Sequence, residues 1–444
     1  MSQFHLIIIG ILIGLALVAI LLISGIIPGF HLGGPSGQAV PITMWGTVPS
    51  EQFRDLIPSL NEQNKNTFTL AYVQKNPAVY ESELINALAS GTGPDIWLMS
   101  QDFILKDRDK IFPIPFESLS ERTFKDTFIS EGELYLTDKD IVALPFIIDP
   151  MVLYWNRDLF ASAGISRVPK TWDEFVDFSQ KLTVRDQAGN ITQAGAALGE
   201  FKNIDHAEDI ISCLILQTGN PIVNRAELKS TLTESGNLPI SPAESAVRFF
   251  TEFSDPVKTT YSWNRSLPSS KNSFIGGTLA IYFGYASEYK EIAEKNPHLN
   301  FDVAEIPQIK GGNLLVTFAN IQGLAISKSS PNLQQAMTAA VALIGKDSIA
   351  KISQGTFLPP VRRDLLAEAV QDPALSVFYK AAISSRGWLN PDSQEVFNMF
   401  SAMIESVLTG KKKIYDAVRD VSSKLDILLE KLKVQEKTQE QPSL

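Results

Sequence analysis

Residues 143–183 read ALPFIIDPMVLYWNRDLFASAGISRVPKTWDEFVDFSQKLT. Two apolar segments, 142–145 and 151–155, are rich in β-branched and aromatic residues, which predicts extended chain. The pattern then changes period. Thr171, Trp172, Asp173 and Glu174 form a capping box, in which the threonine hydroxyl takes a first-turn amide and the glutamate returns a bond. Trp172, Phe175, Val176 and Leu182 recur at helical spacing and predict one buried stripe. The stretch is therefore a strand region feeding an amphipathic helix.

The same alternation precedes it. Residues 42–45 predict a strand, 50–61 a helix with Phe53, Leu56, Ile57 and Leu60 inward, 68–73 a strand, 81–90 a helix closed by Gly91, and 95–99 a strand. Strand and helix alternating in this way predict right-handed crossovers and a parallel sheet. Ligands of such sheets sit beyond the carboxyl ends of strands. Trp45-Gly46 and Ser100-Gln101 both follow strand ends, so both are expected at one crevice. Farther on, helices are expected at 205–218, 242–254 and 333–344, and strands at 278–283, 301–306 and 321–327. A last helix carries Ile414, Ala417, Val418, Val421, Leu425, Leu428 and Leu432 at steps of three and four. It is expected to pack on the body, and the polar residues 434–444 to form a disordered tail.

The chain has 444 residues, a net charge of −10 and 44% hydrophobic residues. That length implies more than one domain. An acidic chain without a long Lys/Arg run is a poor partner for nucleic acid. One cysteine, Cys213, excludes an internal disulfide and a cysteine-type zinc site, and its apolar setting predicts a buried small hydrophobe. Residues 6–27 run without a charge for about 22 residues, enough at ~1.5 Å per residue to cross ~30 Å of hydrocarbon. The run is longer than a signal-peptide core, with no small-residue cleavage site close behind. Residues 1–27 are therefore expected to be a retained transmembrane anchor and 28–40, rich in Gly and Pro, a flexible tether.

No nucleophile elbow, metalloprotease helix, P-loop or dinucleotide fingerprint occurs. No catalytic residue, cofactor or metal site is expected. His206 and Asp209 share helical spacing, but acids beside a helix start are favoured by its dipole, and that reading is preferred.

The stretch 143–183 resembles the bacterial extracellular solute-binding family that includes the maltose-binding protein. Leu144-Pro145-Phe146, the acid Asp149, the block from Leu153 to Phe160 and the helix entry Pro169-Lys170-Thr171-Trp172-Asp173-Glu174-Phe175 carry the likeness. Residues 90–96 (SGTGPDI), 274–281 (FIGGTLAI) and 323–328 (GLAISK) agree, so the resemblance spans about residues 41–430. It implies an α/β, two-lobed periplasmic-binding-protein fold of type II with a hinge of crossing strands. The lobes would be 41–147 with 318–375, and 148–317 with 376–433. It implies an ABC importer, with a monomeric binding subunit outside the cell that captures a small solute and hands it to a permease. Cleft positions of the family fall at Trp45, beside Gly46, and at Trp263, Tyr285 and Trp388, and the polar candidates to join them are Ser100, Gln101, Asp149 and Asn320. Aromatic faces with polar side chains favour a sugar. A surface adhesin or scaffold on the same fold, and a glycan hydrolase, are the alternatives.

Overall fold

The computed structural model describes residues 39–236 and 238–440, with side chains as far as Val434. The first half of the sheet follows the alternating pattern. Strand β1 (Val40–Gly46), helix α1 (Leu56–Gln63), β2 (Phe68–Gln74), α2 (Tyr80–Ala89) and β3 (Ile96–Ser100) come in the expected order. β1 lies between β2 and β3 and runs parallel to both. Alternation puts Ile42, Met44 and Gly46 on the buried face of β1.

The two extended segments of the opening stretch are one strand, β4 (Leu144–Asn156), 13 residues long. Pro145 and Pro150 made it read as two pieces, because proline donates no ladder hydrogen bond. The structure absorbs Pro145 at a register shift between Gln322 and Gly323 on the neighbouring strand, where a bulge tolerates the missing donor. β4 is buried nearly throughout, with only Asp149 and Trp155 half-buried. That continuous apolar run is what a strand covered on both faces requires.

The second half comprises helix α3 (Trp172–Leu182), β5 (Ile191–Ala196), α4 (Ala207–Leu216), β6 (Leu279–Tyr285), α5 (Glu288–Lys295) and β7 (Phe301–Ala304). Then β8 (Thr317–Ile326) returns beside β4. The sheet order is β2-β1-β3-β8-β4-β6-β5, with β7 also pairing β4. β8 and β4 are antiparallel, and between them they join the β1–β3 half to the β5–β7 half. Helices α6 (Leu333–Leu343) and α7 (Lys346–Thr356) pack back on the first half, and α8 (Pro373–Ile383) on β4 and β7. The chain thus crosses between the halves three times.

The capping box forms with one difference. Thr171 Oγ1 accepts from the Glu174 amide at 3.4 Å, but Glu174 returns its bond to the amide of Lys170, at 2.8 Å, rather than to Thr171. Arg167 holds the same carboxylate in a two-point pair. Helices α9 (Ser393–Leu408) and α10 (Ile414–Glu440) close the body. α10 buries Ala417, Val418, Val421, Leu425 and Leu429. Its helical backbone continues past Lys433, where a disordered tail was expected. Residues 441–444, the expected anchor 1–27 and all but the last two residues of the tether lie outside the described residues. Among the described residues no helix is long and apolar enough to cross a membrane.

Tyr135 ties the centre together. Its buried hydroxyl lies 2.9 Å from the carbonyl of Met99 on β3 and 3.0 Å from that of Ile321 on β8. Gly323 makes room for the ring, since a Cβ there would lie 2.9 Å from it. Tyr135→Phe leaves buried carbonyls short of a donor, so it is expected to cost about 1–3 kcal/mol. Urea unfolding checks this as a lower midpoint with an unchanged slope; an unchanged midpoint would show the hydroxyl to be dispensable.

Candidate ligand-binding cleft

The ends of β3 and β6, the middle of β4 and β8, and the start of α4 converge. Ser100 closes β3, and its hydroxyl accepts from the amide of Asp102 at 3.4 Å in the turn Gln101–Phe103. Asp149 on β4 faces Asn320 on β8 in register. Asp149 also accepts from the amide of Ser287, just past β6, at 3.0 Å. Tyr285 ends β6 and donates its hydroxyl to Asp209 Oδ2 at 2.7 Å. Its ring meets the edge of His206 at 4.7 Å between centroids.

His206 stands at the start of α4 with φ +61°, a left-handed conformation that costs a non-glycine residue energy and is often found at functional sites. His206 Nε2 lies 2.6 Å from Glu288 Oε1, and Glu288 Oε2 accepts from Tyr282 at 2.7 Å. Asp205 accepts from the Ser270 hydroxyl and the Lys271 amide at 2.9 and 2.8 Å. His206 is thus held against α5, and the start of α4 against the start of the helix Ser270–Ile275.

Carboxylates dominate this region. Asp102, from the turn after β3, faces Glu208 and Asp209, from the first turn of α4. All three are half-buried, enclosed by protein while still reached by solvent. Burial, with the charge of Asp209 added, pushes Asp102 up to about 7. Burial raises Glu208 well above the carboxylate range, helped by Asp209 and Asp102, and raises Asp209. Asp149 is pushed up to about 6 by burial, against the bonds from Ser287. Burial draws His206 down, but its bond to Glu288 and the surrounding acids carry it above its ordinary value. A cavity of about 410 Å³ adjoins, lined by Thr47, Tyr80, Leu98, Ser100, Phe103 and Gln322 among others.

Of the nine expected site residues, the structure gathers Ser100, Asp149, Tyr285 and Asn320 here. The others serve different ends. Trp45 is half-buried with the Lys75 ammonium 3.6 Å from its ring centre. Gly46 is a packing position, where a Cβ would lie 2.5 Å from Leu98. Gln101 is buried and its Oε1 accepts from the Ile321 amide at 3.2 Å, inside the crossing. Trp263 is 0% exposed and donates its indole N–H to Asn203. Trp388 is 3% exposed. The expectation that these two tryptophans present faces to a ligand is corrected: their flanking residues are polar, but both rings are core. Asp102 and Glu208 were missed. No pattern marked Asp102, and Glu208 sat in the acid cluster read as a helix start, a reading compatible with a place in the cleft.

The arrangement offers hydrogen-bond acceptors from both halves of the sheet. Among the described residues there is no cluster of three or more metal-ligating side chains.

Comparison with known proteins agrees with this fold. A binding protein of Brucella abortus (strain 2308) is 23% identical over 363 residues, 79% of this chain and 83% of that one. The galactooligosaccharide-binding protein of Bacillus subtilis (strain 168) is 21% identical over 331 residues, 72% of this chain and 74% of that one. The crystal structure of a cyclic α-maltosyl-1,6-maltose binding protein from Arthrobacter globiformis superposes with a TM-score of 0.74 at 16% identity, covering 88% of this chain and all of that one. The shared fold is the α/β two-lobed fold of solute-binding proteins. Residues 55–377 match the family described as bacterial extracellular solute-binding protein, and the chain belongs to that family.

Proposed function

We propose a carbohydrate as the solute of this ABC-transporter solute-binding protein. The observation that carries the reading is the meeting of Asp102, Asp149, Glu208 and Asp209 with Tyr285 where the two halves face each other. Carboxyl oxygens accept hydrogen bonds from sugar hydroxyls, and a carboxyl that keeps its proton can also donate one. The Tyr285 ring supplies apolar surface for C–H faces. Binding to both halves would favour a closed form by differential affinity. Relatives that carry sugar-binding names support the reading. The acid lining also favours a second reading, a solute that carries positive charge, such as a polyamine. In either case the protein binds and does not turn its ligand over. Residues 6–27 would anchor it, 28–40 would tether it, and tethering would raise its local concentration beside a permease.

A thermal-shift series on the purified full chain with maltotetraose, mannotriose, a galactooligosaccharide mixture and spermidine separates the readings. A solute that binds only the folded state adds about 2.7 kcal/mol at a hundredfold excess over Kd. An oligosaccharide is expected to raise Tm saturably, with affinity falling about tenfold in Asp102→Asn or Glu208→Gln, the weight of one hydrogen bond. A shift from spermidine alone would replace the carbohydrate, and oligosaccharide hydrolysis during the titration would overturn the non-enzymic assignment.

The same carboxylates make stability depend on pH. Asp102 is raised to about 7 from an ordinary 3.8, so between those values the folded chain holds a proton that the unfolded chain has lost. Stability therefore falls as pH rises through that window. Asp102→Asn removes the dependence. It is expected to be more stable than the parent above pH 7, with the gap closing near pH 4, in denaturant titrations at fixed pH. A gap that does not change with pH would contradict the assignment.

A further inference from the structure

Glu131 is 1% exposed; the Gly387 amide stands against its carboxylate without completing a well-formed hydrogen bond, and no side chain bonds either oxygen. A buried, unsatisfied carboxyl is costly and calls for a physical reason. Its position offers one. It lies in the short helical turn Ser130–Tyr135, on the side of β1–β3. The turn meets the two-residue strand Ser385–Arg386, which pairs with the start of β8 on the far side of the third crossing. Gly387 allows the close approach, since a Cβ there would lie 2.4 Å from Glu131 Oε1 and 3.1 Å from Gln101 Nε2. The same turn is gripped from the other half by Arg225. Its guanidinium donates to the carbonyls of Glu133 at 2.5 Å and Leu134 at 3.3 Å. Turn, crossing segment and Arg225 all border a cavity of about 380 Å³, through Leu134, Leu389 and Arg225.

We propose that Glu131 is a proton-sensitive latch between the halves: neutral, it seats the turn Ser130–Tyr135 against Arg386–Trp388, and ionised, it is driven toward water and loosens that contact. Burial, opposed by the Gly387 amide and by Arg386, pushes Glu131 up to about 8. The groups that face it or flank its turn are few. Tyr135 is on its own turn, Arg386 is on the crossing segment, and the neutral Gln101 and then Asp102 follow β3. Lys125 reaches Glu133, and Arg363 bonds the Ser130 hydroxyl, so both hold the turn from outside. Arg386 Nη1 donates to its own neighbour's carbonyl, Ser385, at 2.6 Å. Glu131 itself is not among the acids gathered around Tyr285, so it would set the ease of opening without touching a solute.

The test is ligand-free. Spin labels on Lys65→Cys and Lys258→Cys, one exposed lysine on each half, report the distance between halves in the full chain. Cys213 is buried. The distance distribution is expected to shift or broaden as pH rises from 6 to 9, and Glu131→Gln, which mimics the neutral form, is expected to show a clearly smaller change over that range, the remainder coming from the cleft acids. Denaturant titrations of the same variant keep the proposal testable if labelling disturbs the hinge: its stability advantage is expected to grow as pH rises above about 4.5 and level off above about 8, following the folded-state proton of Glu131. A parent whose distances ignore pH, or a Glu131→Gln variant that responds to pH as the parent does, would overturn the proposal.

Discussion

The antiparallel pairing of β4 with β8 is the constraint on which the rest depends. Both strands belong to two halves at once: β8 pairs β3 through its second part, and β4 pairs β6 and β7 through its second part. Every ladder hydrogen bond in the crossing is therefore shared, and the crossing must be nearly all apolar to be buried on both faces. A polar side chain inside it is expensive unless paired. Asp149 and Asn320 occupy directly opposed positions there. Their cost makes sense where the sheet opens to a cleft, and Asp149 bonds to the Ser287 amide from the second half.

The cleft and the hinge carry the same kind of tension. Acids from the two halves face one another with little cationic compensation on the side of Asp102 and Glu208, so burial raises both. On the far wall His206, in a strained backbone conformation, balances Glu288 and orders the start of α4. Such groups do not stabilise the empty protein. A solute that brings its own donors to them, as proposed, would relieve part of the repulsion.

Much of the fold was legible because period and punctuation are local. The alternation between residues 42 and 99 and the capping box at Thr171 fixed strand, helix and order. The failures have physical causes. Two prolines split β4 on paper, yet a bulge opposite Pro145 let one strand run through them. Trp263 and Trp388 sit among polar neighbours in sequence, but burial of a large ring is decided by tertiary packing, and Asn203 supplies the partner that lets the Trp263 indole go inside. Asp102 and Glu208 meet only after the chain has folded, because more than a hundred residues separate them. Glu131 carried no pattern at all, since an unpartnered acid becomes unusual only when it is known to be buried.

The central claim is capture between two halves that move on β4 and β8. Small-angle scattering of the chain with and without the solute that raises its Tm tests it most directly. The account predicts a smaller radius of gyration on saturation, with Asp149→Asn and Tyr285→Ala both shifting the midpoint to higher solute concentration. Saturable binding at an unchanged radius, indifferent to both substitutions, would place the site elsewhere and contradict the account.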